Sequence, residues 1–377
     1  MSFEIFGIIY AGRQAPELKE LARSRAVAAL PVAGRYRAVD FMLSNLVNSG
    51  ATNVGIVTQH NYHSLMDHVG SGKEWDLSRK RDGLFVLPPF VTNQNPGGMY
   101  RGTLDALGAV KSYIKRSTQG HVLFIDDTAV YNTTYNPMMR FHAKMGADIT
   151  VLYQQEPPVQ SGATEDTTRV YLYANEEGRI WDIEVNAAAP KTRMVSLGAY
   201  ILSKALLERI IEECVARDRY DFIRDVLIRR MNDLKIYGFE HKGAVARIDT
   251  VQNYFAANMM FLDTDTRADL FGRGGPVYTK VKDEVPARYG MGGQVVNSLV
   301  ADGCIIEGNV ENSVLFRGVR VARNAVIKDS IVMQNSEVQE GASLHYTILD
   351  KSVVVQRDRV LSGSGNFPMI IRKFGIV

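Results

Sequence analysis

The chain has 377 residues, 44 basic against 41 acidic, and a formal charge of +3; that length exceeds what one hydrophobic core usually serves, so two domains are expected. The near balance of charge argues against a nucleic-acid partner or a membrane surface. Cys214 and Cys304, each in apolar surroundings, offer neither a disulfide framework nor a metal pattern and are expected as buried thiols. With no secretory leader pattern and no apolar run approaching a membrane span, the expected location is the cytoplasm.

In chain order, Phe6 to Tyr10 reads as a buried strand. It runs through Gly12 into a polar segment ending at Leu18 and Leu21, a loop and helix start of the kind that binds phosphate in α/β proteins. A phosphate cradle needs glycines so that backbone N–H groups can approach the anion. This one has a single glycine, a Pro16 without an N–H, and a Glu17 that repels phosphate. The segment is either an ordinary turn or a cradle that has lost its task. Further on, "NVGIVTQ", "HVLFID" and "ADITVLYQ" are short and β-rich. "GTLDALGAVKSYIKR" carries Leu104, Leu107, Lys111 and Ile114 at helical spacing, with Thr103 as its cap. "SKALLERIIEECVARD" puts Leu206, Leu207, Ile210, Ile211 and Cys214 on one face. Strands separated by helices predict a parallel or mixed sheet covered on both sides, with ligands beyond the carboxyl ends, at the loops after Tyr10, Gln59 and Ile125. This α/β domain is expected over 1–265, with a Gly- and Pro-rich linker over 266–294.

The last segment, 295–377, has a different rhythm. Ser298-Leu299-Val300, Ser313-Val314-Leu315, Ser330-Ile331-Val332 and Thr347-Ile348-Leu349 recur at spacings of 15, 17 and 17 residues. Within them Val319, Ala325 and Ile331 are six apart, as are Val321, Ile327 and Met333. After a one-residue slip Val338 leads to Leu344, and Ala342 to Ile348 to Val354. A hexapeptide period with apolar inward positions and Gly, Asn or Asp at corners predicts a parallel β-helix; the alternative is an ordinary antiparallel sheet.

Four stretches carry a family resemblance: "GRYRAVDFMLSNLVNSGATNVGIVTQ", "GSGKEWDLSRKRDGLFVLPP", "YRGTLDAL" and "PVYTKVKDEVPARYG". They resemble segments of ADP-glucose pyrophosphorylase, glucose-1-phosphate adenylyltransferase, and with the tail included the resemblance spans the chain. It implies a nucleotidyltransferase-type, Rossmann-like mixed-sheet domain, a left-handed β-helix of hexapeptide repeats, a tetramer, and glycogen synthesis in bacteria. The family's reaction is displacement at the α-phosphorus of ATP by the phosphate of glucose 1-phosphate, which requires Mg²⁺ on carboxylates, a glycine cradle and basic side chains.

The positions implied for those tasks are altered here. The glycine-rich loop falls on Gly12 to Glu17, with Glu17 at its formerly basic end. The RAKPA-like segment keeps Arg25 and has Val27 in place of lysine. The first metal carboxylate aligns with Thr128, the second with Arg247, and the sugar-phosphate lysine with Asn186. Within the family the pattern resembles the D-type regulatory subunit. That resemblance implies a chain with little or no activity alone, needing no cofactor, in a hetero-oligomer, a tetramer by family habit, with a catalytic paralogue that uses Mg²⁺. The alternative is an active enzyme with shifted ligands such as Asp126 and Asp127; a β-helix acyltransferase is the third, without a convincing histidine in the coils. Candidate ligand contacts are Gln59, Gly102 and Thr103, against a satisfied loop amide and a helix cap. Arg25, Arg35 and Arg37 are candidates for an anionic sugar-phosphate effector, against a solvated or ion-paired cluster. Trp75 reads either as a recognition residue or as packing, and His60, His63 and His68 lack a metal spacing.

Overall fold

The computed structural model describes residues 4–90, 99–156 and 169–377. Because Phe6–Tyr10 is apolar on both sides, it folds as β1 (Ile5–Ala11) inside a nine-stranded mixed sheet rather than at its edge. The other strands are β2 (Asn53–Thr58), β3 (Gly83–Leu87), β4 (His121–Asp126), β5 (Ile149–Gln155), β6 (Val170–Ala174), β7 (Ile180–Val185), β8 (Met194–Ser203) and β9 (Ile236–Glu240). Their order is β7-β6-β8-β4-β1-β2-β3, with β5 also on β8 and β9 on β5. β1 runs parallel to β2 and β4, whereas β8 is antiparallel to β4. The carboxyl ends of β1, β2 and β4 therefore open on one side of the sheet.

The α-helices are α1 (Ala38–Asn48), α2 (His63–Val69), α3 (Thr103–Ala109), α4 (Lys111–Arg116), α5 (Asn136–Met145), α6 (Lys204–Val215), α7 (Val251–Met260) and α8 (Thr264–Gly272). The single helix expected over Gly102–Arg116 is broken at Val110 into α3 and α4. Thr103 is the first residue of α3 and makes no cap bond; the capping position is Gly102. The face of α6 read from the sequence is buried at all five positions. It packs with Phe6 and Ile8 on one side of the sheet, while Ile5 and Ile9 point to the other.

The second domain is a left-handed parallel β-helix of hexapeptide repeats, built from three sheets of five short strands. The recurring triplets stack in one sheet, Leu299 on Val314 on Ile331 on Ile348, so the spacings of 15 and 17 are the lengths of whole coils. Corners use residues that tolerate positive φ, among them Asn312, Gly318, Asp329 and Asn335. The inward positions Val319, Ala325, Ile327 and Leu344 are fully buried, whereas Ile331, Met333 and Ile348, expected inward by the six-residue count, face the α/β domain and leave Val332 and Leu349 to fill the coil, because each turn of the coil is not an exact multiple of six. Val354 departs from the expected rhythm: it is half-exposed, and Val353 and Val355 point inward instead. The stretch read as linker contains α8, and the first ladder strand, Arg288–Tyr289, already pairs with Ile305–Ile306. The two domains share one core, since Val314, Phe316, Ile331, Met333 and Ile348 join the cluster that holds α1 and α7.

Candidate functional site

Of the altered positions, Thr128 and Arg247 are brought together in the crevice beyond β4, beside the loop that follows β1. Gly12 is required by packing, since a Cβ there would stand 2.9 Å from the Tyr10 ring and 3.2 Å from the Gln59 Cβ. The helix expected behind the loop does not form. Pro16–Leu21 is a pair of 3₁₀ turns broken at Lys19, whose φ of 48° and ψ of −125° lie outside the helical region. Leu18 and Leu21 anchor it in the core and Glu17 is half-exposed. No helix N-terminus is aimed at the crevice from this side. Arg13 has moved in instead: its Nε and Nη2 are closed from solvent without a hydrogen-bond acceptor, and its charge works against the burial that raises the Asp127 pKa. The loop's outer side keeps a basic character, in a cleft of about 330 Å³ lined by Arg13, Lys19, Arg23, Arg25 and His60.

Across the crevice, the Thr128 hydroxyl and N–H both donate to Asp126 Oδ1, at 2.7 and 3.1 Å. Asp126 lies against Gly198 of β8, where any Cβ would collide with its carboxylate. Asp127 turns toward the Val27–Ala29 turn and accepts the Ala28 N–H at 3.2 Å, while its Oδ1 is closed from solvent without a partner. Burial pushes the Asp127 carboxyl up to about 7 and raises Asp126 as well. The two carboxylates have different neighbours and do not converge on one point.

Arg247 is brought directly beside this pair. Its strand, Val245–Arg247, runs antiparallel to Ala129–Tyr131 with Arg247 opposite Ala129, and the next N–H, of Ile248, donates to the Thr128 carbonyl at 3.1 Å. The Arg247 side chain is partly buried and its Nε donates to Glu156 Oε1 at 2.7 Å; Glu156 also pairs with Arg169. Glu156, 91 positions away in the chain, carried no signal in the sequence. Val27 is buried in a 3₁₀ turn. Asn186 stands exposed at positive φ after the edge strand β7, and its backbone N–H donates to the carbonyl of Arg169, the second partner of Glu156, at 2.9 Å.

The other candidates resolve one by one. Gln59 is a satisfied amide, donating to the Tyr100 carbonyl at 3.2 Å. Gly102 is required because a Cβ would strike the Tyr220 carbonyl. Trp75 is 2% exposed and packs edge-on against His68, so it is packing. His68 pairs with buried Asp40 at 2.6 Å, and among the described residues no group of three His, Cys, Asp or Glu side chains is placed to hold a metal. Both cysteines are free and buried.

The three arginines separate. Arg25 is buried and bidentate to Asp350 of the β-helix at 2.7 and 2.9 Å, a clamp between the domains. Arg37 donates to the Ser64 carbonyl and hydroxyl at 2.6 and 3.0 Å. Arg35 has no such partner, and its Nε is closed from solvent without an acceptor. Near it lies Arg317 of the β-helix, 7% exposed, whose Nε forms an ion pair with Asp302 at 3.6 Å while Nε and Nη2 lack a hydrogen-bond acceptor. Burial and the Arg35 charge lower the Arg317 pKa. Lys351 is pushed down to about 7 by burial and by Arg37 and Arg25. Arg317 and Lys351 were missed in the sequence because corner residues of a repeat give no hint of what they face across a domain boundary.

Comparison with known proteins adds two family matches, a nucleotidyl transferase over residues 6–264 and a GlmU-like C-terminal hexapeptide over 283–363. The chain is 33% identical over 372 residues to the glycogen biosynthesis protein GlgD of Bacillus subtilis, covering 98% of this chain and 96% of that one. It is also 33% identical over 385 residues to the glucose-1-phosphate adenylyltransferase of Halalkalibacterium halodurans, covering 97% and 99%. The Clostridium novyi adenylyltransferase is 32% identical over 328 residues, covering 86% and 84%. The chain belongs to the glucose-1-phosphate adenylyltransferase family.

Overall identity does not separate an enzyme from a GlgD-like relative, since both stand at 33%. The residues must do so. A glucose-1-phosphate adenylyltransferase is expected to hold Mg²⁺ on two carboxylates, and a hard cation takes oxygen ligands in near-octahedral order. In this member of the family the two aligned positions carry a hydroxyl already bonded to Asp126 and a guanidinium already bonded to Glu156. Those donors do not fit the metal. Among the described residues no helix is long and apolar enough to cross a membrane.

Proposed function

We propose that this chain is a regulatory subunit, with little or no catalysis of its own, that assembles with a catalytic glucose-1-phosphate adenylyltransferase, in the tetramer usual for the family. The observation that carries the reading is the partly buried Arg247–Glu156 pair next to Thr128. Adenylyl transfer brings two polyanions together, and each lost cation or metal ligand removes stabilisation that the reaction depends on. Here the arginine at the second metal position is spent on Glu156, and Asp126 and Asp127 are bonded by neutral groups of the chain. The alternative of shifted ligands is disfavoured by the same geometry, because Asp126 is held by Thr128 and Asp127 by Ala28. As a regulatory element the chain has an anion receiver in the Arg35 and Arg317 donors between the domains, where a sugar phosphate would satisfy N–H groups that lack acceptors. Arg25 and Arg37 are paired within the protein and are not needed for it.

The test is co-expression with a catalytic adenylyltransferase from the same genome, followed by size exclusion and native mass measurement. One species containing both chains is expected, with altered apparent substrate or effector constants of the partner. Two non-interacting populations at physiological salt, or unchanged constants on assembly, would refute the regulatory reading.

A further inference from the structure

We propose that the groove between the α7–α8 turn and one corner of the β-helix binds a neutral glucose oligosaccharide. The groove has a volume of about 580 Å³, within the range of small-molecule sites. One wall is Phe255, Met259 and Leu262; the other is a column of corner residues, Asn297, Asn312, Asp329 and Tyr346. These four share a left-handed backbone, with φ of 42°, 44°, 45° and 47°. Asn and Asp tolerate that conformation, whereas a tyrosine is strained in it. Such strain persists where the surroundings impose it and collects at ligand sites. Tyr346 is half-buried, with its ring 6.1 Å from Phe255 and 4.5 Å from His345. It turns one wall of the groove aromatic.

The polar groups supply the rest of the recognition. Asn297 Nδ2 donates to Asn312 Oδ1 at 2.8 Å, which leaves the Asn297 carbonyl and the Asn312 amide for a ligand. Asp329 contacts His345 Nε2 at 3.2 Å. Asp263, exposed at the groove, takes the Thr266 N–H on Oδ2 at 2.8 Å as the cap of α8, and its carboxylate is also bonded by the Thr266 hydroxyl and the Asp265 N–H, which fixes its negative edge at the groove. Two carboxylates and no lysine or arginine line the groove, so a phosphorylated ligand is repelled. An apolar segment would leave the amide and carboxylate edges unpaired. A pyranose ring offers adjacent hydroxyls, each both donor and acceptor, and a C–H face that packs on an aromatic ring. Glucose as the repeating unit rests on the glycogen-family reading above; the groove chemistry stands without it.

Maltoheptaose titrated into the full chain by calorimetry, with cellohexaose in parallel, tests the site. Tyr346→Asn installs the residue that other coils use at this corner, and Asp263→Ser keeps a capping oxygen, so both variants should melt close to the parent. Saturable maltoheptaose binding is expected, weakened about tenfold or more in each variant and unchanged in Trp181→Ala, an exposed aromatic on β7. Absence of saturable binding of either sugar by the parent chain overturns the proposal. So does binding that both folded variants retain in full. The co-expression result is read separately, so failure here leaves the subunit assignment standing and the reverse also holds.

Discussion

The β-helix and the crevice of the α/β domain manage buried groups in opposite ways. In the β-helix each inward residue repeats the one above it, Leu315 under Val332 under Leu349, so the same solution recurs at every level. In the crevice each charge is unique and its partner comes from far along the chain: Arg247 with Glu156, Asp127 with the Ala28 N–H, Arg25 with Asp350. The comparison teaches that a fold can lose a reaction without losing itself, provided the charges that replace metal and substrate find new partners. It also identifies what holds the halves together, a shared apolar cluster and one buried ion pair.

Substitutions break this comparison at graded levels. Arg25→Ala strands Asp350 in the domain interface and is expected to cost about 3–5 kcal/mol in urea unfolding, much of it recovered by pairing Arg25→Met with Asp350→Leu. Leu344→Ala opens a cavity in a fully buried coil position and should cost about 2–5 kcal/mol. If the coils behave as a stack, that loss is felt by neighbouring coils and not by the α/β crevice, which hydrogen exchange resolves.

Asp127→Asn should act in the other direction. Its folded pKa of about 7 lies above the unfolded value, so the folded protein binds more protons and stability falls as pH rises from about 4 to about 7. The amide removes that penalty. A gain of up to about 4 kcal/mol is expected at pH 8 and none at pH 4, measured by melting across pH. The smallest effect is expected at a corner, where Asn312→Ala puts a Cβ-bearing residue without a local bonding group at φ 44° and should cost about 1–2 kcal/mol, with Asn312→Gly closer to neutral.

The β-helix was legible because its sequence period is its structural period. The triplets at 15 and 17 residues are the ladder itself. Legibility failed where the chain departs from the period: Val354 exchanges places with its neighbours, and the last strand, Met369–Ile371, follows an interruption held by the Ser364–Phe367 bridge. In the α/β domain the strands and the α6 face were readable from apolar pattern. The helix after Gly12 was not, because Pro16 and the kink at Lys19 let tertiary burial of Leu18 and Leu21 override a local helix. For the crevice, the missing carboxylates at Thr128 and Arg247 were visible in sequence. Their compensation was not, since no local pattern links Arg247 to Glu156 or Arg25 to a residue 325 positions away.

The central claim is that the crevice is filled by the protein's own charges. Steady-state release of pyrophosphate from ATP and glucose 1-phosphate with Mg²⁺ tests it most directly, on the purified chain and on Thr128→Asp alone and combined with Arg247→Asp. The account predicts turnover well below about 1 s⁻¹, the lower end of ordinary enzymes, for the chain and for the single variant, because Arg247 and Glu17 still oppose the metal and the triphosphate. Turnover above that level by the unmodified chain, or full activity from Thr128→Asp alone, would contradict it.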